Sequence, residues 1–272
     1  NKLTRLTPNF AYILGAFKCL PPEIASDKSV VSWCEANGIN SKNLVNYVLY
    51  EKIPGQSVED LMPTCTAEDF FSWFVQIAIS LHIARNSFFN HYDLHTGNAM
   101  VRKWKDAQSL SIPYEVQPNL IWYVRAGTVV QMIDYGMSHV VVNGRHFGAR
   151  GIEHAGVHQN KYRPMFDLYK FLGFGLTQML AEENPEAVKL IPLWKLLNRE
   201  LLQTELPSEV GQLKSMLFKQ VDTYFALSPE PLEIESEYTV WDFIKAMQAD
   251  PQVRPMWKKL VTQEAKDEDV LT

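Results

Sequence analysis

The chain has 272 residues, 46% hydrophobic and 21% charged, with a formal net charge of −5. That length allows a full core in one large or two small domains, and the composition is that of a globular protein. The negative balance argues against a general nucleic-acid or anionic-membrane binder, and no run approaches the ~20 apolar residues of a membrane span. Lys2, Arg5 and Asn9 interrupt the opening apolar runs, which does not make a signal peptide. Cys19, Cys34 and Cys65 are widely spaced, with no CxxC or Cys/His cluster. This predicts free, mostly buried thiols in a reducing compartment.

Phe10 to Cys19 is rich in aromatic and β-branched residues and predicts a strand bent at Gly15. Residues 20–44 read as an irregular connector with a short helix around Val30 to Ala36, and Val45 to Glu51 as a second strand. Pro54-Gly55 breaks the chain, and Ser57 with Asp60 can start a helical turn. The clearest helix has Thr66 or Asp69 as its cap, with Phe70, Phe74, Ile77, Leu81 and Ala84 recurring at helical spacing until about Asn86. His91 to Gly97 forms a loop before a short strand, Ala99 to Arg102. Lys103 to Pro118 is polar and proline-bearing and reads as an insertion. Leu120 to Arg125 and Thr128 to Ile133 predict a hairpin around Ala126-Gly127, whose second strand delivers Asp134. Gly148 to His158 holds too many glycines and histidines for regular structure. Pro164 to Leu180 is a second helix, with Phe166, Tyr169, Leu172 or Gly173, and Leu176 on its core stripe. Further helices are expected over Val188 to Leu197, Glu209 to Phe225 and Val240 to Gln248. Pro251 and Pro255 bound a last turn, and an acidic tail frays. Strands first and helices afterwards give an α+β order.

Two polar motifs stand on this frame: HYDLHTGN, from His91 to Asn98, and MIDYGMS around Asp134, which lies 36 residues after Asn98. The Asp93 carboxylate can take the proton of an attacking hydroxyl, where a bland loop aspartate would close an Asx-turn. Gly97 lets backbone approach closely. Asn98 offers a carbonyl oxygen and Asp134 a carboxylate, hard ligands that suit Mg²⁺ against a triphosphate. Read separately, each is an ordinary turn residue at a strand end. His91 and His95 also admit a two-histidine metal site, although no third-ligand pattern accompanies them. Asp167, opening the second helix, complements the helix dipole.

In this order and spacing, HYDLHTGN and MIDYG resemble the protein-kinase-like superfamily, over roughly residues 7–250. The resemblance implies a kinase-like α+β fold: a partial β N-lobe and hinge over 1–55, a helical C-lobe with the catalytic and metal loops over 56–260, and an acidic tail over 261–272. It implies Asp93 as the base, Asn98 and Asp134 as ligands of Mg²⁺ and ATP, and Asp167 as a brace for the catalytic loop through backbone amides. His91, His95, Gly97 and Gly136 would shape the loops. The EKIPG segment resembles a hinge, so the peptide groups of Glu51 and Ile53 would meet the adenine edge; a strand ending in a Pro-Gly turn fits the same letters. The implied activity is transfer of the ATP γ-phosphoryl to Ser/Thr hydroxyls of a protein substrate. Tyr92 replaces the arginine that in kinases pairs with an activation-loop phosphate, which implies no control of that kind. The three strands and helix that normally precede the strand at Phe10, with their Gly-rich loop, lysine and glutamate, have no counterpart in these residues. They would lie upstream or on another chain, or ATP would be poorly positioned. TPNFAYILGAFKC, PGQSVED and VWDFI look most like virion-type serine/threonine kinases of large DNA viruses. That likeness implies host cytoplasm or virion, with viral structural proteins as partners and neither nucleic acid nor a membrane span. The alternative is a pseudokinase or virion scaffold that keeps the fold as a binding platform.

Overall fold

The computed structural model describes residues 1–19, 23–24, 30–31, 45–103, 110–149, 157, 160–203, 206, 209–225 and 237–265. The chain divides into two compact units, Ala11–Ile53 with Asn1, and Lys2–Phe10 with Pro54–Thr272.

In the first unit, β1 (Ile13–Cys19), β2 (Glu23–Ile24), β3 (Val30–Val31) and β4 (Val45–Tyr50) form two antiparallel pairs, β1 with β4 and β2 with β3. The bend expected at Gly15 is a register shift between Ile13 and Gly15. Val30 and Val31 are extended, not helical as predicted, in keeping with their β-branched side chains. The rest of that predicted helix, 32–36, lies outside the described residues, as does Cys34.

The second unit begins with Lys2–Phe10. The strand predicted from Phe10 starts three residues later, because Asn9 and Phe10 are tied into this unit instead. Asn9 O accepts the Met132 amide at 2.7 Å, and its side-chain nitrogen donates to Val130 O at 2.6 Å. Asn9 Oδ1 accepts the hydroxyls of Ser80 and Tyr114, each at 2.8 Å. Phe10 is buried edge-on against Phe89, with ring centroids 5.3 Å apart.

After Pro54 come β5 (Gly55–Ser57), the short α1 (Val58–Leu61) and α2 (Ala67–Ala84). Both helices start with a capping box, Ser57 with Asp60 and Thr66 with Asp69. In α2 every residue except Glu68 and Asp69 is buried. The predicted stripe is therefore one side of a helix that is apolar nearly all round, as a central helix must be.

Four strands follow, β6 (Ala99–Lys103), β7 (Leu110–Gln117), β8 (Leu120–Ala126) and β9 (Thr128–Met132). Here the structure corrects two expectations. The supposed insertion contains β7, whose Ile112, Tyr114 and Val116 are buried in strict alternation with exposed Ser111, Pro113, Glu115 and Gln117. Its proline is tolerated because β7 is an edge strand. The hairpin partner of β8 is β7, through a turn in which Asn119 takes φ 66°; β9 pairs with β6 in a separate sheet of order β5-β6-β9. The chain thus changes sheets at Gly127 where a hairpin was expected.

Beyond lie β10 (Val140–Val142) and β11 (Arg145–Phe147), a hairpin about Asn143-Gly144, both in the left-handed region that a two-residue turn demands. The helices α3 (Phe166–Ala181), α4 (Ala187–Leu202), α5 (Val210–Phe225), α6 (Val240–Ala249) and α7 (Arg254–Leu260) complete the unit, with β12 (Val261–Ala265). β12 pairs antiparallel with β8, so the tail predicted to fray opens as a strand. The cause is non-local: Val261 lies opposite Val124, and nothing in the tail itself announces that partner. α2 packs against α3, α4, α6 and α7 and against β7, β8 and β9, so the architecture is mixed α and β around a central helix. Cys65 is buried, and burial with nearby Asp69 pushes its thiol up to about 12, an inert form. No helix among the described residues is long and apolar enough to cross a membrane.

Candidate active site

The HYDLHTGN loop is held from below by the start of α3. Asp167, 1% exposed, accepts the His91 amide at 2.7 Å and the Asn90 side-chain nitrogen at 3.1 Å on one oxygen, and the Tyr92 amide at 2.7 Å on the other. Asn90 closes the same junction by donating to Arg163 O and accepting the Arg163 amide, both at 2.7 Å. Burial pushes the Asp167 carboxyl above its ordinary range, while the His91 imidazole and these N–H donors pull the other way. Tyr92, the second of the two residues whose amides meet this carboxylate, takes φ 62°, a left-handed conformation that a bulky residue resists. Its ring is buried against Phe166, and its hydroxyl donates to Lys161 O at 2.8 Å.

Asp93 follows, partly exposed. Its Oδ1 receives the Lys170 ammonium at 2.6 Å. Its Oδ2 lies 3.4 Å from Asn98 Nδ2 and 4.0 Å from His95 Nε2. The Asn98 amide nitrogen also donates to Asp93 O at 2.8 Å, which turns the amide's oxygen the opposite way. His95 caps the turn Thr96–Asn98 by accepting the Gly97 amide on Nδ1 at 3.1 Å. A side chain on Gly97 would meet Glu59 Oε2 at 2.6 Å and the His95 ring at 2.9 Å, so these side chains would have to move aside. Thr96 donates to Gln178 of α3, which donates in turn to Glu59 at 3.2 Å.

The second motif is joined to the first at Ile133. The Ile133 amide donates to Asn98 O at 3.0 Å, and Ile133 O accepts from His91 Nε2 at 2.7 Å. Asp134, the next residue, is exposed at φ 57°, with Oδ1 accepting the Gly136 amide at 3.3 Å. The two motifs are thus joined at Ile133, the residue before Asp134, through Asn98 O and the His91 ring. Burial holds the His91 imidazole below the ordinary histidine range. Neutral and donating through Nε2 to a carbonyl, His91 cannot ligate a metal through that nitrogen. Among the described residues no cluster of three His, Cys, Asp or Glu side chains could hold a metal, so the two-histidine reading has no third ligand. Mg²⁺ asks for a different donor set, amide and carboxylate oxygens of the kind that Asn98 and Asp134 carry.

Glu51 and Ile53 end the first unit. The Glu51 amide donates to Tyr12 O, and its carboxylate accepts the Tyr12 amide, both at 2.9 Å.

Sequence reasoning missed Lys170, Gln178 and Asn90. The signal for Lys170 was available: a lysine three residues after Asp167 shares its helix face. What it touches, 77 residues earlier, was not in the spacing.

No protein-family model matches the chain. It is similar to "Probable kinase 098L" of Invertebrate iridescent virus 3, 29% identical over 182 residues that cover 64% of this chain and 28% of that protein. It is also similar to "Uncharacterized protein 035R" of the same virus, 24% identical over 163 residues that cover 54% of this chain and 14% of that protein. The chain therefore spans less than a third of the length of either relative. Both are viral, and one carries a kinase name.

Proposed function

We propose that this chain carries the phosphoryl-transfer centre of an ATP- and Mg²⁺-dependent kinase that acts on Ser/Thr hydroxyls of proteins. The observation that carries the reading is the Asp93 carboxylate, fixed on one oxygen by Lys170 and flanked on the other by Asn98, whose own carbonyl is bonded to the Ile133 amide one residue before Asp134. Asn98 Oδ1 and the Asp134 carboxylate are the groups that would hold Mg²⁺, which supplies charge neutralisation on the phosphate oxygens when bound.

The remaining chemistry belongs to the chain. The acceptor hydroxyl attacks the γ-phosphorus, a new O–P bond forms, and the bond to the bridging oxygen breaks with its electron pair leaving on ADP. The hydroxyl proton passes late to Asp93 Oδ2. Asp167 holds the loop amides so that Asp93 does not have to reorganise during the step. The kinase name of the viral relative supports the phosphotransferase class; the Ser/Thr and protein preference rests on the motif resemblance alone.

The test uses the intact protein with Mg-ATP and a generic basic acceptor protein, following the γ-phosphoryl. Asp93→Asn keeps shape and removes the proton acceptor, so turnover is expected to fall about 10²-fold or more while nucleotide binding survives. Asp134→Asn should weaken metal-nucleotide binding. Transfer unchanged by both substitutions would place the activity elsewhere, and wild-type protein that binds no Mg-ATP at millimolar concentration would leave the scaffold reading.

A further inference from the structure

The loop is already fastened to α3 without Lys170, since Asp167 takes two of its backbone amides and Asn90 is bonded to the strand of chain before the helix. One turn further on, Lys170 is 9% exposed, and its ammonium reaches Asp93 Oδ1 at 2.6 Å and Tyr92 O at 3.3 Å. A lysine on a helix surface ordinarily extends its head to water, and a buried ammonium is unfavourable unless paired. Here the head turns inward and meets a carboxylate that is itself partly exposed and could be solvated without it. The bond therefore does more for the direction of the carboxylate than for the attachment of the loop.

From this geometry we propose that Lys170 is a positioning residue for phosphoryl transfer, holding Asp93 Oδ1 so that Oδ2 is the oxygen presented to the acceptor hydroxyl. The inference rests on the kinase reading of Asp93. During transfer the hydroxyl proton goes to Oδ2, the γ-phosphoryl goes to the acceptor oxygen, and ADP leaves with the bridging electron pair. Lys170 keeps its own proton throughout. A guanidinium could not substitute freely, because its planar fork differs in reach and shape from a compact ammonium.

The experiment compares wild-type protein with Lys170→Met, Lys170→Arg, Asp93→Asn and the double variant Lys170→Met/Asp93→Asn, under saturating and limiting Mg-ATP. Lys170→Met should lower kcat about 10- to 100-fold with KM for ATP changed less than about threefold, and Lys170→Arg should recover part of the loss. In the Asp93→Asn background, Lys170→Met should cost less than about threefold more, since both act on the same proton transfer. An equal loss in both backgrounds, or a Lys170→Met enzyme as fast as wild type, would overturn the positioning role while leaving the kinase reading intact. Wild-type protein inactive with Mg-ATP would overturn both. Should Lys170→Met not fold, Lys170→Gln, whose neutral side chain is too short to bring a donor to Oδ1 as the ammonium does, is compared in the same way and must show the same loss of kcat.

Discussion

Tyr92 shows what a single buried carboxylate does for this site. Its left-handed backbone is unfavourable for an aromatic residue; Asp167 fixes the amide of Tyr92 and that of His91 before it, and Lys161 O and Lys170 hold its hydroxyl and its carbonyl. Asp167→Asn would present an NH₂ to one of those amides and leave that N–H buried without an acceptor. A loss of about 2–4 kcal/mol is expected in urea unfolding, with transfer activity falling alongside because Asp93 is the next residue. An unchanged urea midpoint would show that the loop is held by other bonds. His82 gives a second residue-scale prediction, this one in pH. It is buried, stacked on Trp241 at 4.5 Å, and burial together with Arg85 lowers its pKa from 6.5 to about 4. The unfolded imidazole binds its proton near 6.5 and the folded one near 4. Stability is therefore full above 6.5 and falls as pH drops towards 4, by up to about 3 kcal/mol. Burial lowers His91 and His139 as well, with the same sign. Urea unfolding of wild type and His82→Phe between pH 7.5 and 4.5 separates the contributions: the variant keeps an aromatic ring and should show the shallower slope. Parallel curves would mean that His82 titrates normally.

Among the elements, the crossing of α2 over α3 is decided by a glycine. A methyl group on Gly175 would lie 2.3 Å from the Phe70 ring, which is wholly buried and stacked on Phe171 at 5.5 Å. Alanine is better than glycine in a helix by about 1 kcal/mol, but overpacking a rigid core costs about 1–3 kcal/mol. The clash wins because the ring has no open side. Gly175→Ala should lower the thermal midpoint, and Phe70→Leu in the same chain should restore part of it; a rise in midpoint with Gly175→Ala alone would mean that the helices can separate without loss. The sequence announced the helices through signals a few residues apart: Thr66 and Asp69 at the cap, and Phe70, Phe74 and Ile77 along one face. Asn143-Gly144 between Val140–Val142 and Arg145–Phe147 is an equally local hairpin signal. The alternation Ile112, Tyr114, Val116 was legible too, but Pro113 and the polar neighbours hid it. What no local signal could give was the pairing of β8 with β12 or the bond from Lys170 to Asp93, since each joins residues far apart in the chain. The motifs named Asp93, Asn98 and Asp134; Ile133, which joins them, is an ordinary apolar residue just past β9 and carries no sequence mark.

At the scale of the molecule, the second unit is discontinuous in sequence: it takes Lys2–Phe10, yields the chain to the first unit, and resumes at Pro54. Asn9 explains why the short piece belongs there. It fixes the amide of Met132, the carbonyl of Val130 and the hydroxyls of Ser80 and Tyr114, four groups from β9, α2 and β7. Phe10 fills the adjoining core against Phe89. A chain beginning at Pro54 would leave those polar groups buried without partners, at about 1–3 kcal/mol each, and a cavity in place of a phenylalanine, at about 3–5 kcal/mol. Together these approach or exceed the ~5–15 kcal/mol that holds a typical domain folded. Two versions test this, one starting at Pro54 and one in which Lys2–Phe10 is joined to Pro54 by a flexible Gly/Ser linker in place of 11–53. The linked version should unfold cooperatively in a thermal scan, and the version starting at Pro54 should be unfolded or far less stable. Asn9→Leu in the linked version, similar in size but unable to bond, should lie between the two. Equal midpoints for the linked and the shortened versions would mean that Asn9 and Phe10 merely rest on a core complete without them.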